Sequence, residues 1–153
     1  MKVIITSDSH GNLGVLKKIA GLHQDADLFI DAGDSERKSF EISPFLSVRG
    51  NCDLFIKNNY RIDNLNDVTL FTTHGNELFF SDKSLINKAM NFNASIAIHG
   101  HTHIPKVKVY DEMIVICPGS VSRPRGGSNC SYAIVTFNTR KDIKVEIREV
   151  WNE

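Results

Sequence analysis

Three histidines fall within five positions in "IAIHGHTHIP": His99, His101 and His103, immediately after an apolar run. Imidazole is expensive to bury unless its nitrogens find partners. The cluster is therefore a solvated turn, a hydrogen-bonded core group or a metal site. Four other stretches repeat its chemistry. "VIIT" runs into Ser7-Asp8-Ser9-His10-Gly11, "LFID" into Ala32-Gly33-Asp34, "LSV" into Arg49-Gly50-Asn51-Cys52-Asp53, and "LFTT" into His74-Gly75-Asn76. Taken singly, a GD or GN dipeptide is only a turn signal. Five apolar runs that each break into a glycine-bearing turn with Asp, Asn or His are not expected of scattered surface turns.

If these turns converge, they offer Asp8, His10, Asp34, Asn51, His74, His101 and His103 to one site. Residues at i and i+2 of an extended chain point to one side, so Asp8/His10 and His101/His103 are each expected to present a pair. Seven nitrogen and oxygen donors exceed the four of a closed zinc site. They suit two ions about 3.5–4 Å apart that share a carboxylate. Four imidazoles favour manganese, iron, zinc, nickel or cobalt over calcium or magnesium alone.

The elements that must hold such turns follow from the apolar pattern. Short runs at 3–6, 28–30, 68–73, 95–98, 113–116, 132–137 and 143–150 read as strands, the first of them apolar enough to be covered on both faces. Leu13, Leu16, Ile19 and Ala20 make one stripe of a helix over 12–23 with Asn12 as its cap, and Leu85, Ala89 and Phe92 make one of a helix over 81–92 capped by Ser81 or Asp82. Strand–helix alternation followed by consecutive strands implies a mixed α/β protein. In such folds the carboxyl ends of strands line the ligand crevice, where the five turns would meet.

At 153 residues with no linker or repeat, residues 1–153 read as one domain. Eighteen basic residues balance eighteen acidic ones, so no broad field pulls the chain to nucleic acid or to a membrane. A small phosphate-bearing ligand needs only a local positive site. No apolar stretch is long enough to span a membrane, and the N-terminal apolar run is too short for a signal peptide. Three cysteines without CxxC spacing suit a reducing cytoplasm.

Read in order, "DSH", "GD", "GNCD", "HG" and "GHTH" resemble the signature of the calcineurin-like metallophosphoesterases. Within that group, the short length, the early "SDSHGN" and the later "PGSVSRPR" resemble the YfcE-like small phosphodiesterases. The resemblance implies a four-layer α-β-β-α sandwich of two mixed sheets with a dinuclear site at their carboxyl edge. By motif, Asp8, His10 and His103 would hold one metal, Asn51, His74 and His101 the other, and Asp34 would bridge. It also implies two divalent transition-metal ions per chain, manganese first, with nickel, zinc, iron or cobalt as alternatives. A hydroxide between them would attack phosphorus in line. The expected substrate is a small phosphodiester. A phosphomonoesterase or protein phosphatase on the same core, or a non-catalytic Vps29-like scaffold, are the competing readings. A homodimer is compatible with the sequence, but no residue specifies one.

Two positions depart from the wider family. Many members carry His after "GN", where this chain has Cys52, a weaker acid for the leaving oxygen that a nearby cation could turn into thiolate. Close relatives often carry "HGH" where this chain has His74-Gly75-Asn76. With Asp34 and Asn51, Cys52 and Asp53 complete the catalytic candidates. Asp53 would either orient Cys52 or Asn51 or stabilise its turn. Arg123 and Arg125 would meet a substrate phosphate or sit in a solvated turn. His99 is expected behind the ligands or in the core, His23 at a helix C-terminus as a cation, and Cys117 and Cys130 in packing. Arg37 has no clear place.

Overall fold

The runs that are apolar throughout become the middle strands of two sheets. The computed structural model describes residues 1–78, 81–111 and 113–150, so the last three positions of the 1–153 unit lie outside the described residues. In the first sheet β1 (Lys2–Thr6), β2 (Leu28–Asp31) and β3 (Leu46–Ser47) are parallel. Antiparallel β9 (Ser131–Thr136) and β10 (Lys144–Glu149) complete the order β10-β9-β1-β2-β3. The second sheet holds β4 (Tyr60–Leu65), β5 (Val68–Thr73), β6 (Ile96–Ile98), β7 (Lys106–Tyr110) and β8 (Met113–Cys117) in the order β4-β5-β6-β8-β7. There β5, β6 and β8 are parallel, and β4 and β7 pair antiparallel at the edges.

The pleat explains the packing. In β1, Val3 and Ile5 face the other sheet and share a core with Ile30, Leu70, Ile96, Ile98 and Ile116. Ile4 points the opposite way, onto α1 (Leu13–Leu22), where Leu16 and Ile19 cover it. On the outer face of the second sheet, Leu85 and Ala89 of α2 (Asp82–Met90) pack on Phe71, Ala97 and Val115. Both faces of the central strands are covered, which requires continuous apolar runs rather than alternation. The result is the α-β-β-α sandwich. Asn12 caps α1 by accepting the Val15 N–H, and Ser81 caps α2 by accepting that of Ser84.

Two differences from the sequence reading have physical causes. β4 and β7, absent from the strand reading, are edge strands whose polar residues face solvent, so neither shows an apolar run. His23 caps α1, but its Nε2 lies 2.9 Å from the Tyr132 hydroxyl, and burial lowers its pKa. It is a neutral core partner of Tyr132, not a cation.

Candidate metal centre

Parallel β1, β2 and β3 and parallel β5 and β6 all release their chains at one edge, and backbone hydrogen bonds tie the emerging loops together. The Asp8 N–H donates to Gly33 O (2.9 Å), that of His10 to Asp34 O (3.0 Å) and that of Gly100 to His74 O (3.0 Å). Between the two sheets, the His101 N–H donates to Asp8 Oδ2 (3.1 Å). Glycine is required at two of these approaches. A Cβ on Gly100 would overlap Ser7 Oγ, and one on Gly50 would overlap Asp34 Oδ1.

The loops are not extended. Among the described residues nine non-glycine residues have positive φ, and six of them are here: Asp8, His10, Asp34, Glu36, His101 and His103, at 44° to 68°. Left-handed backbone costs an L-residue energy and is retained where surrounding structure imposes it. The expectation that i, i+2 pairs point one way because the chain is extended is therefore corrected: they are placed by successive left-handed turns. Asp8 and His10 stay together, whereas His101 and His103 divide. Ligand atoms of Asp8, His10 and His103 lie within 4.8 Å of one another, as do those of Asp34, His74 and His101. One histidine of "HTH" thus goes to each group.

Three imidazoles have a fixed orientation. His74 Nδ1 lies 2.7 Å from Ala32 O, His103 Nδ1 2.6 Å from Arg123 O, and His10 Nδ1 2.6 Å from Glu36 Oε1. Each partner can only accept, so each Nδ1 carries the hydrogen and each neutral ring presents an Nε2 lone pair inwards. Those Nε2 atoms meet more acceptors. His74 Nε2 faces Asp34 Oδ2 (3.2 Å) and Asn51 Oδ1 (3.1 Å), and His103 Nε2 faces Asp8 Oδ1 (3.1 Å) and His10 Nε2 (3.4 Å). Asp8 Oδ1 is buried and has no hydrogen-bond partner among the described residues. Lone pairs crowded in this way need positive charge between them. The residues fit metal ions.

The proton affinities agree. Burial opposes charge on His74, yet hydrogen bonding to Asp34 and the charges of Asp8 and Asp34 raise its pKa. Contact with Asp8 raises that of His103 against partial burial. For Asp34 burial again works against charge, but His74 and the Cys52 N–H bring it down to about 2. Burial and the charge of His74 lower His101, whose ring lies 5.2 Å from that of His74.

The remaining candidates fall into place around this centre. Cys52 is exposed; partial burial and the negative charge of Asp34, Glu36 and Asp53 raise its pKa, so the surrounding residues keep it a thiol. Asp53 is buried with both oxygens occupied: Oδ2 accepts the N–H groups of Asp34 and Gly50, and Oδ1 that of Glu36, each at 2.8 Å. It clamps two loops and is not aimed at reacting atoms, which corrects its place among the catalytic candidates. The side chains of Arg123 and Arg125 are exposed, and Arg123 serves the centre through its carbonyl. His99 is buried, with Nδ1 on Gly100 O, and joins neither donor group. Cys117 is buried.

Sequence reasoning missed Glu36, Ser120 and Ser122. The Ser120 hydroxyl donates to Asp8 O (2.7 Å) and the Ser122 hydroxyl to Ser9 O (2.9 Å), bracing the turn that presents Asp8. Their signal was "PGSVSRPR", where only the arginines were weighed. Arg37 donates to Gly11 O on the same turn.

Known proteins share this arrangement. The family model of the calcineurin-like phosphoesterase superfamily domain matches residues 1–140. The chain belongs to that superfamily. It is similar to the probable metallophosphoesterase YsnB of Bacillus subtilis (strain 168), at 34% identity over 151 residues covering 90% of this chain and 85% of the relative. To the phosphodiesterase YfcE of Escherichia coli (strain K12) the identity is 28% over 165 residues, covering 88% and 87%. A solved predicted phosphoesterase of Streptococcus pneumoniae TIGR4 matches with TM-score 0.83 and 27% identity over 96% and 97% of the two chains. Vps29 of Cryptosporidium parvum, at 12% identity and TM-score 0.77, shows a likeness of fold alone. As calcineurin-like phosphoesterases go, this chain has its candidate donors in two groups, each spanning both sheets.

Proposed function

We propose that the chain is a metal-dependent phosphodiesterase for a small diester, using two divalent transition-metal ions, manganese first. Asp8, His10 and His103 would hold one ion and Asn51, His74 and His101 the other, with Asp34 shared. The observation that carries this reading is the inward crowding of Nε2 atoms and carboxylate oxygens, with Asp8 Oδ1 buried and given no hydrogen-bond partner among the described residues. Two such ions, when bound, acidify water and offset charge on phosphoryl oxygens. The chain's part is orientation: Ala32 O, Arg123 O and Glu36 fix three imidazoles, and Asp53 fixes the loops that bear Asp34 and Asn51. Cys52, a thiol at the exposed rim, is the candidate donor to the leaving oxygen. Because a thiol is a weak acid, rates should depend steeply on leaving-group pKa; a flat Brønsted plot would remove Cys52 from that role.

All seven candidate residues are present, six of them in two groups of three and Asn51 against His74, which favours an enzyme over a Vps29-like scaffold. Among the described residues no helix is long and apolar enough to cross a membrane. Three free cysteines fit a reducing cytoplasm. The deciding experiment loads the purified chain with manganese, nickel, cobalt, zinc or magnesium in turn. It then compares bis(p-nitrophenyl) phosphate with p-nitrophenyl phosphate. The reading expects about two metal equivalents, faster diester turnover, and loss of both metal and turnover in Asp34→Asn. Failure to bind metal, with no turnover, would return the chain to the scaffold reading; a preference for the monoester would make it a phosphomonoesterase.

A further inference from the structure

Beside Asn51 lies a cavity of about 420 Å³, walled by the loops that follow β3 and β5 and by α2. Its size is ordinary for a small-molecule site, but its lining is not, because such sites are mostly apolar and aromatic. Here Arg49, Asn59, Thr73, Asn76, Glu77 and Lys88 line the walls, and among the described residues Leu78 is the one large apolar side chain. Among the described residues, an aryl or lipid arm would find no aromatic side chain on these walls. A hydroxylated arm would find the carboxamides of Asn59 and Asn76, each able to donate and accept, and the Thr73 hydroxyl oxygen, whose own hydrogen goes to Asn59 O.

The charges narrow the ligand further. Arg49 and Lys88 are both exposed, and neither forms an ion pair among the described residues. Among the described residues, Glu77 is the single acid of the lining. The last turn of α2 accounts for a cation at Lys88, since helix C-termini favour one. It does not account for Arg49, carried by a different loop, on the same cavity wall. A guanidinium and an ammonium around one hydrogen-bonding cavity suit a phosphate, which the guanidinium can grip through two N–H groups. Asn51 joins this cavity to the candidate centre, so one ligand can reach both. Asn76, where the chain departs from the family pattern, lines this wall.

We propose that the cavity receives the arm of the diester that does not leave, and that this arm is a hydroxylated group bearing a second phosphate held by Arg49 and Lys88. This rests on the phosphodiesterase reading above. The test uses the metal-loaded full chain and two substrates with one leaving group: the p-nitrophenyl ester of uridine 5′-phosphate, with and without a 3′-phosphate. The 3′-phosphate should raise kcat/KM by about tenfold or more, chiefly through KM. In Arg49→Ala/Lys88→Ala that advantage should shrink to about twofold or less. Arg49→Gln/Lys88→Gln, which keeps the stems, should behave the same way. Equal kcat/KM for the two substrates in the wild type, or an advantage that survives in both double variants, would overturn the proposal. Bis(p-nitrophenyl) phosphate separates the two failures. If the wild type hydrolyses it without favouring the 3′-phosphate, only the cavity assignment falls. If it hydrolyses none of the three esters, the phosphodiesterase reading falls first.

Discussion

An imidazole whose Nδ1 hydrogen is committed has one lone pair left to give, and what holds that hydrogen decides where the lone pair points. Glu36 does this for His10 at 2.6 Å. Loss of such a partner costs about 10–100-fold in metal affinity. Glu36→Ala should therefore weaken metal binding by that order in calorimetric titration, and Glu36→Gln, whose amide oxygen still accepts, should restore most of it. The protons at His74 give a second handle. Its raised pKa means that, in metal-free protein, its stabilising contribution is complete below about 6.5 and is lost as pH rises through the folded value. Denaturant titrations should show the unfolding free energy of wild type minus that of His74→Asn falling as pH rises above about 6.5. At this scale the seven candidate donors stood out because each lies just past an apolar run, close to a glycine. Glu36, Ser120 and Ser122 were not, because they act on another residue's backbone or far ring nitrogen. Spacing along the chain carries no trace of that.

Among the elements, strands shielded on both faces announce themselves and edge strands do not. "VIIT" and "IAI" were visible as apolar runs, whereas Tyr60–Leu65 and Lys106–Tyr110 owe their strand state to a neighbour's backbone. Helix starts were readable from Asn12 and Ser81, whose side chains bond the first turn. Loops need a different kind of support, and Asp53 provides it by accepting three N–H groups from two of them. Removing a buried, charge-assisted acceptor leaves those donors unsatisfied. Asp53→Ala should cost about 3 kcal/mol or more in denaturant unfolding and lower metal occupancy with it. A variant with wild-type stability would show that water replaces the carboxylate.

For the whole molecule, the two sheets share an apolar core, but at one edge their loops meet through polar groups that repel unless positive charge lies between them. Metal should consequently act as a clasp between halves of the sandwich. Binding at a hundredfold excess over Kd adds about 2.7 kcal/mol per site. For a domain of this size that corresponds to about 5–10 °C in Tm per site, so chelation of both ions should lower Tm by on the order of 10–20 °C. An unchanged melting curve after exhaustive chelation would mean the loops hold themselves together. The six left-handed residues of those loops bear on any effort to make the protein hardier. Glycine would relieve the backbone tension at Asp8, His10, Asp34, His101 and His103, so breeding for ruggedness alone would drift toward glycine there. It would yield a tougher molecule with its working parts erased.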